Sequence, residues 1–424
     1  MNLEEAQQKL ESIQQQHLLT HFSNLTSAQQ RSLLLQVESL DTGLFQQQQK
    51  LLLKKATTPS FTPYQDFSRS GNSDDIARGQ ALLKEGKVGC LLIAGGQASR
   101  LQLDAPKGTY PITPIEGKSL FQLFAEKTLA ASAFANRPLY LAIMTSPLNH
   151  EQTVDFFAKH QNFGLKSSQL DFFRQSMLPL LDTDGNLFLD ASDHIAEGPD
   201  GNGSALSHFV QSGIYEKWVA KGIEYLNFIL VDNPLADPFD FVLTGFHARS
   251  KAEIVIKAIE RKDPEEKVGV IVRQNEKVSV IEYTELPPDP DLKHPLANIS
   301  LFSYSMPFVE KAAKLSLPLH LAFKAVKTME KERPSAPNAW KFERFIFDLL
   351  PFSDRVEALV YPREECFAPL KNMTGEGSPE SVQNALMQRD RKVYLQVTGS
   401  EATEEMIELS QEFYYPTQEF LRNI

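Results

Sequence analysis

The sequence predicts an α/β protein in which a mostly parallel sheet is covered by helices, and three observations carry that prediction. Apolar runs of strand length recur at VGCLLIA, PLYLAIMTS, YLNFILVDN and EIVIKAI, rich in Ile, Leu and Val without alternation, as strands buried on both faces require. Helix-like segments such as SLFQLFAEKTLAASA and EQTVDFFAKH lie between them, which is the grammar of parallel strands joined by helical crossovers. The chain has 424 residues, 42% hydrophobic and 23% charged, enough for about two or three domains with at least one well-buried core, so wholesale disorder is excluded.

Taken in order, residues 1 to 55 place Leu3, Leu10, Ile13, Leu18, Leu19, Leu33, Leu34, Leu35, Val37 and Leu40 at helical spacing. The glutamine runs at 14–16 and 46–49 fall among these leucines, so amphipathic helices are expected rather than low-complexity chain. TTPSFTPYQDFSRSGNSDD reads as a linker, and residues 1–75 are therefore expected as a helical extension and linker. Residues 76–374 carry the α/β pattern, interrupted by VGVIVRQNEKVSVIEY, two strands around a short polar turn that predict an antiparallel hairpin. From 375 to 424, Gly/Ser/Pro turns, KVYLQVTG and a helical pattern over EATEEMIELSQEF predict a small carboxy-terminal unit. No internal repeat of fixed period is visible.

Lys+Arg 43 against Asp+Glu 54 gives a formal net charge of -11, which excludes a general nucleic-acid binder and a polybasic membrane binder. An anionic ligand must then meet a locally positive pocket. The two cysteines, Cys90 and Cys366, give no disulfide framework or thiolate zinc site and fit a reducing compartment. MNLEEAQQKLE has acids where a signal peptide has a basic region, and no apolar run approaches the roughly 20 residues of a membrane span. A soluble, cytoplasmic protein is expected; the oligomeric state is not set by the sequence.

The run from Leu92 to Tyr110, LIAGGQASRLQLDAPKGTY, is the chemical focus. Ligands of open α/β sheets bind beyond the carboxyl ends of strands, where glycine lets the backbone approach phosphate oxygens, and Gly95 and Gly96 stand at that point. Arg100 and Lys107 add fixed positive charge for oxygens whose charge shifts during a reaction. The run is not a Walker A loop, because Gly117-Lys118-Ser119 has Ile112 where that motif needs its first glycine, and GxGxxG is absent. His150-Glu151 opens like a zincin motif, but Val154 stands where the second histidine belongs. Gly-Gly after a strand also suits a tight turn with no ligand.

The run AGGQASRLQLDAPKGTYPI resembles the signature of the eukaryotic-type UDP-sugar pyrophosphorylases, approximately AGGxGTRLG followed by PKG. FFAKHQNFGL, FFRQSMLPLLDTDGNL, GPDGNG, LVDNP, the hairpin, KFERFIFDLLPF and FAPLKN agree in order, so the likeness covers residues 88 to about 390, and it is strongest to the N-acetylglucosamine-using members. The resemblance implies a Rossmann-like nucleotidyltransferase fold and a uridylyltransferase forming a UDP-sugar and pyrophosphate from UTP and a sugar 1-phosphate. N-acetylglucosamine 1-phosphate is the expected sugar; glucose 1-phosphate, or a nucleotide-sugar binding protein without turnover, are the alternatives.

By that resemblance Leu92, Ala94, Gly95 and Gly96 hold the nucleotide, and Gln175 and Gly201 recognise uracil. Arg100, Lys107 and Lys371 contact phosphates as the catalytic cations. Asn202, Gly269, Glu282, Tyr283, Asn298, Phe345 and Phe347 surround the sugar, and Asp232 is the expected ligand of Mg²⁺, which commonly takes one or two carboxylates with substrate phosphates. Each has a plain alternative: Phe345 and Phe347 as core, Lys371 and Glu282 as solvated surface, Asp232 as a turn cap, Gln175 and Gly201 as ordinary loop. Ala98, Gln102 and Ala297 depart from the family's glycines, and a positive φ at residue 98 would cost about 1–2 kcal/mol.

Overall fold

The computed structural model describes residues 1–54, 60–69, 71–289, 291, 293–332 and 334–424, with the side chain of Ser99 outside that set. Residues 57–59 and 70 of the expected linker lie outside the described residues.

Among the described residues eleven strands form the main sheet: β1 (Thr62–Pro63), β2 (Phe67–Arg69), β3 (Val88–Ile93), β4 (Tyr140–Thr145), β5 (Leu170–Arg174), β6 (Tyr225–Leu230), β7 (Ile254–Glu260), β8 (Gly269–Gln274), β9 (Lys277–Ile281), β10 (Leu296–Ser305) and β11 (Val356–Val360). Their spatial order is β2-β11-β7-β10-β6-β3-β4-β5, with β8 joined to β1, β9 and β10. β6, β3, β4 and β5 run parallel, as do β7, β11 and β2, whereas β10 is antiparallel to both β6 and β7. β8 and β9 form the expected hairpin, with Val270 opposite Ile281. The four apolar runs became β3, β4, β6 and β7, buried along nearly their whole length because helices cover the faces.

The connections follow local chemistry. Helix α5 (Leu120–Ala135), after α1 (Leu3–Ser12), α2 (Ser27–Ser39), α3 (Thr42–Leu53) and α4 (Ser73–Glu85), joins β3 to β4. Ser119 caps its start by accepting from Gln122 N, and Asn136, left-handed at φ 52, ends it. Helix α6 (His150–Lys159) joins β4 to β5. The main core packs Leu92, Phe121, Phe124, Leu141, Ile143 and Phe157 between sheet and helices.

The chain divides into two compact units: Met1–Thr57, Ser176–Ser204 and Leu317–Phe345 form one, and Thr58–Gln175, Ala205–Ser316 and Ile346–Ile424 the other. These differ from the three segments read from sequence. The amino-terminal helices share a core with inserted segments, as Ala6, Leu10, Leu33, Val37 and Phe45 pack with Leu178, Leu181, Ile195 and Phe342. The expected linker contributes β1 and β2 to the sheet of the second unit. Residues 375–424, expected as a unit of their own, place Val382, Leu386 and Tyr415 in the main core.

Of the expected helix over EATEEMIELSQEF only the 3₁₀ turn Gln411–Phe413 forms; Pro379–Thr398 is helical instead, capped by Ser378 and stopped by Gly399 at φ 73. Arg391 takes the carbonyls of Ala402, Glu404 and Glu405, and Leu409 N donates to Asp390, so tertiary hydrogen bonds hold the downstream chain extended.

His247, fully buried, donates from Nε2 to Ala252 O at 2.9 Å, which leaves Nδ1 to accept from Ser303 Oγ, also at 2.9 Å. Burial lowers its pKa from 6.5 to about 4. Between those values the unfolded chain binds the proton and the folded chain does not, so stability is complete above pH 6.5 and falls towards pH 4. In urea titrations, His247→Gln should remove about 3 kcal/mol of the acid-induced loss over that window; an unchanged pH slope would show that other groups dominate.

Candidate active site

The order of parallel strands reverses at β3, which has β4 and β5 on one side and β6 on the other. Ile93, the last residue of β3, pairs with Leu230, the last of β6, and Val231 N donates to Ile93 O at 3.0 Å. The loops leaving these strands therefore part at one crevice, the position where open α/β sheets bind ligands.

On the β3 side, Leu92 and Ala94 are buried. Ala94 N donates to Met144 O at 2.7 Å. A Cβ on Gly95 would stand 2.8 Å from Gln175 Oε1 and 3.0 Å from Nε2, so glycine is needed for the Gln175 amide to lie flat on this backbone. Gly96 is exposed, with nothing within 4 Å of where a Cβ would sit. The N–H groups of Gly95 and Gly96 reach no backbone carbonyl among the described residues. Gln175 is nearly buried and is fixed by its own N–H on Thr145 O at 2.8 Å. Arg100 stands exposed on the short turn Ser99–Leu101.

Lys107 ties the two strand ends together. Its N–H donates to Gly96 O at 3.2 Å, its Nζ donates to Leu370 O at 3.1 Å, and Nζ lies 3.8 Å from Asp232 Oδ2 beyond β6. Leu370 N donates in turn to Asp232 O at 2.7 Å, which brings the exposed Lys371 alongside. Lys371 Nζ sits 5.9 Å from the Phe367 ring centroid. Gly95, Gly96, Gln175, Lys107, Asp232 and Lys371 thus gather around one crevice.

The residues expected around a sugar divide. Gly269 pairs with Asn298 across β8 and β10, and a Cβ on Gly269 would come 3.2 Å from Glu282 Oε1, so these three meet at one end of the hairpin. Asn298 Oδ1 accepts from Ser300 N, and Tyr283 is 44% exposed. Phe347 is buried in the turn Ile346–Phe352. Gly201, Asn202 and Phe345 belong to the other compact unit, where Gly201, at φ 85, bridges to Arg344 and Phe345 packs on His320 at 4.8 Å.

Of the three departures from the family glycines, Ala98 and Ala297 are buried and neither is among the described non-glycine residues with positive φ; Gln102, at φ 55, is. The local strain sits at residue 102, on the exposed side of the loop, and not at residue 98.

Sequence reasoning missed the residues that hold these loops. Lys127, buried on α5, donates to Pro234 O at 2.5 Å and Ala236 O at 2.7 Å, and Arg389 donates to Leu235 O at 2.6 Å. Three consecutive carbonyls after Asp232 are so gripped by two cations, and burial lowers the Lys127 pKa to about 7. Asn233 donates to Cys366 O and accepts from Ala368 N, joining this loop to the chain that carries Lys371. Asn149 bonds the Gly95–Gly96 loop from beneath. A lysine in the middle of an apolar helix, Lys127 in LFAEKTLAA, was the one readable signal; the asparagines read as turn and cap. Lys127→Met should lower unfolding stability by about 2–4 kcal/mol, because two buried carbonyls lose their donor; urea denaturation with a loss under 0.5 kcal/mol (about one-third of a pH unit's worth) would show that water replaces the ammonium.

Residues 40–305 match the family described as UTP–glucose-1-phosphate uridylyltransferase. A Dictyostelium discoideum protein named probable UDP-N-acetylglucosamine pyrophosphorylase is 34% identical over 73% of this chain and 69% of its own. UDP-N-acetylglucosamine diphosphorylase 2 of Arabidopsis thaliana is 33% identical over 72% of this chain, which spans 65% of that relative's length. Among solved structures, a putative UDP-N-acetylglucosamine pyrophosphorylase from Entamoeba histolytica superposes with a TM-score of 0.75 at 31% identity, over 82% of this chain and 94% of that one. By the extent of these matches the chain belongs to the UTP–glucose-1-phosphate uridylyltransferase family, among the UDP-sugar pyrophosphorylases.

Proposed function

We propose that this chain is a uridylyltransferase that makes a UDP-sugar and pyrophosphate from UTP and a sugar 1-phosphate, N-acetylglucosamine 1-phosphate being the preferred sugar. The observation that carries the reading is the crevice at the end of β3, where a glycine backbone covered by the Gln175 amide faces Lys107 and Asp232. Relatives named for UDP-N-acetylglucosamine support the choice of sugar.

The reaction asks little covalent chemistry of the protein. A sugar-phosphate oxygen, already anionic at pH 7, attacks the α-phosphorus as the bond to the α–β bridging oxygen breaks, and pyrophosphate leaves with that electron pair. No side chain need act as base, so rate comes from alignment and from cations facing the growing charge. Gln175 presents a donor and an acceptor, matching uracil, which offers both. Arg100 and Lys107 neutralise the departing phosphates, and Lys371 steers the sugar phosphate. Gly269, Glu282 and Asn298 form the sugar end, where a carboxylate accepts from two hydroxyls.

A divalent metal, Mg²⁺ by the hardness of its ligands, fits Asp232 together with substrate phosphates; among the described residues no three His, Cys, Asp or Glu side chains gather to hold one alone. Such an ion supplies charge neutralisation on the phosphates. Both cysteines are free and buried, in keeping with the cytoplasm, and among the described residues no helix is long and apolar enough to cross a membrane.

Pyrophosphate release from UTP with a panel of sugar 1-phosphates and Mg²⁺ tests the reading. Turnover is expected to be fastest with N-acetylglucosamine 1-phosphate; faster turnover with glucose 1-phosphate would favour the sugar in the family's description, and binding without release would favour a sensor. Lys107→Ala should lower kcat by about 10²- to 10³-fold with little change in Tm. A large drop in Tm with kcat preserved would assign Lys107 to the scaffold.

A further inference from the structure

We propose that Asn149 is a positioning residue that aims the backbone N–H groups of the Gly95–Gly96 loop, and so sets affinity for the nucleotide and not for the sugar 1-phosphate; this rests on the nucleotide reading above. Asn149 is wholly buried at the start of α6, yet it does not cap that helix with its side chain. Its Nδ2 donates to Ala94 O at 3.0 Å and to Gly96 O at 3.3 Å, while Oδ1 accepts from Ser146 N at 2.8 Å and Ser146 Oγ at 3.1 Å. Both donors and both acceptor sites of the amide are therefore used.

The consequence follows from peptide geometry. In a planar trans peptide the C=O and the next N–H point in opposite directions, so a carbonyl drawn towards Asn149 turns the following N–H away from it. Holding Ala94 O directs the Gly95 N–H, and holding Gly96 O directs the N–H of Gln97. Two successive glycines have the greatest φ/ψ freedom of any dipeptide, so without an outside restraint their N–H groups would be spread over many directions. Lys107 N shares Gly96 O at 3.2 Å, which couples this restraint to the catalytic lysine. Asn149 is itself bolted in place: its N–H donates to Ser146 O at 3.1 Å, and its carbonyl accepts from Thr153 N at 3.0 Å and Thr153 Oγ1 at 2.8 Å. The clamp thus refers the loop to the end of β4 and the start of α6, and a ligand gripping those N–H groups is spared the ordering cost.

Asn149→Ser keeps a side chain suited to a helix start but too short to span both carbonyls, and Asn149→Asp keeps the shape while removing the donor. By calorimetry, UTP with Mg²⁺ should bind about tenfold more weakly to Asn149→Ser than to the unaltered protein, and more weakly still to Asn149→Asp. At saturating UTP the KM for the sugar 1-phosphate should stay within about twofold. Folded variants that bind UTP as the unaltered protein does, or in which both constants rise together, would overturn the proposal. If Asn149→Asp does not fold, Asn149→Ser decides. Should the unaltered protein fail to bind UTP, the nucleotide reading falls, and amide exchange over residues 94–98 still judges the clamp: exchange should quicken in Asn149→Ser, and unchanged rates would refute it.

Discussion

The parallel pairing of β3 with β6 is the constraint on which the site depends. It sets Ile93 beside Leu230, so the two chains leave the sheet side by side and carry Gly95 and Asp232 to the same crevice. Because VGCLLI is buried on both faces, a slip of one residue would send each side chain into a packing site shaped for its neighbour. Sheet burial far from the chemistry thus determines which glycines and which carboxylate can meet.

What the ladder aligns, a set of long-range hydrogen bonds then holds. Lys107 N on Gly96 O closes the loop on itself, while Leu370 N on Asp232 O and the two bonds of Asn233 to Cys366 and Ala368 link segments that are far apart in sequence. Lys127 and Arg389 do the same beneath the Asp232 loop. Lys107 meets its carboxylate neighbour at 3.8 Å while its Nζ hydrogen bond goes to the Leu370 carbonyl. Asp232 at that distance offsets part of the ammonium's charge, so Lys107 and Asp232 stand in this crevice as an ion pair within a chain whose net charge is -11.

The strands were legible because burial on both faces leaves a plain trace, an apolar run of strand length, and the hairpin because its polar turn separates two such runs. The loop chemistry was legible because glycines and cations stood at the end of a strand. Asn149 and Asn233 were not, since their roles depend on carbonyls brought near by tertiary folding; nothing local separates a buried clamp from a helix cap. The carboxy-terminal segment misled for the same reason. EATEEMIELSQEF has helical spacing, but Arg391 and Asp390 take the backbone groups a helix would need. The amino-terminal helices were found, while their partners were not, because the segments that complete their core lie more than a hundred residues away in the chain.

The departures from the family's glycines bear on whether the loop still works. Ala98 is buried against the main core without a left-handed backbone, so its methyl adds packing at a place where the resemblance suggested strain. Gln102 does adopt the left-handed region, yet it points into solvent, and the replacement of glycine also narrows the unfolded ensemble. That entropic gain, about 0.4–1 kcal/mol, offsets much of the cost of about 1–2 kcal/mol for a side chain at positive φ. The loop segment facing the crevice keeps both of its glycines and its clamp, and the residual strain lies at the exposed Gln102. These departures therefore leave the backbone at the crevice as its two glycines and the Asn149 amide set it.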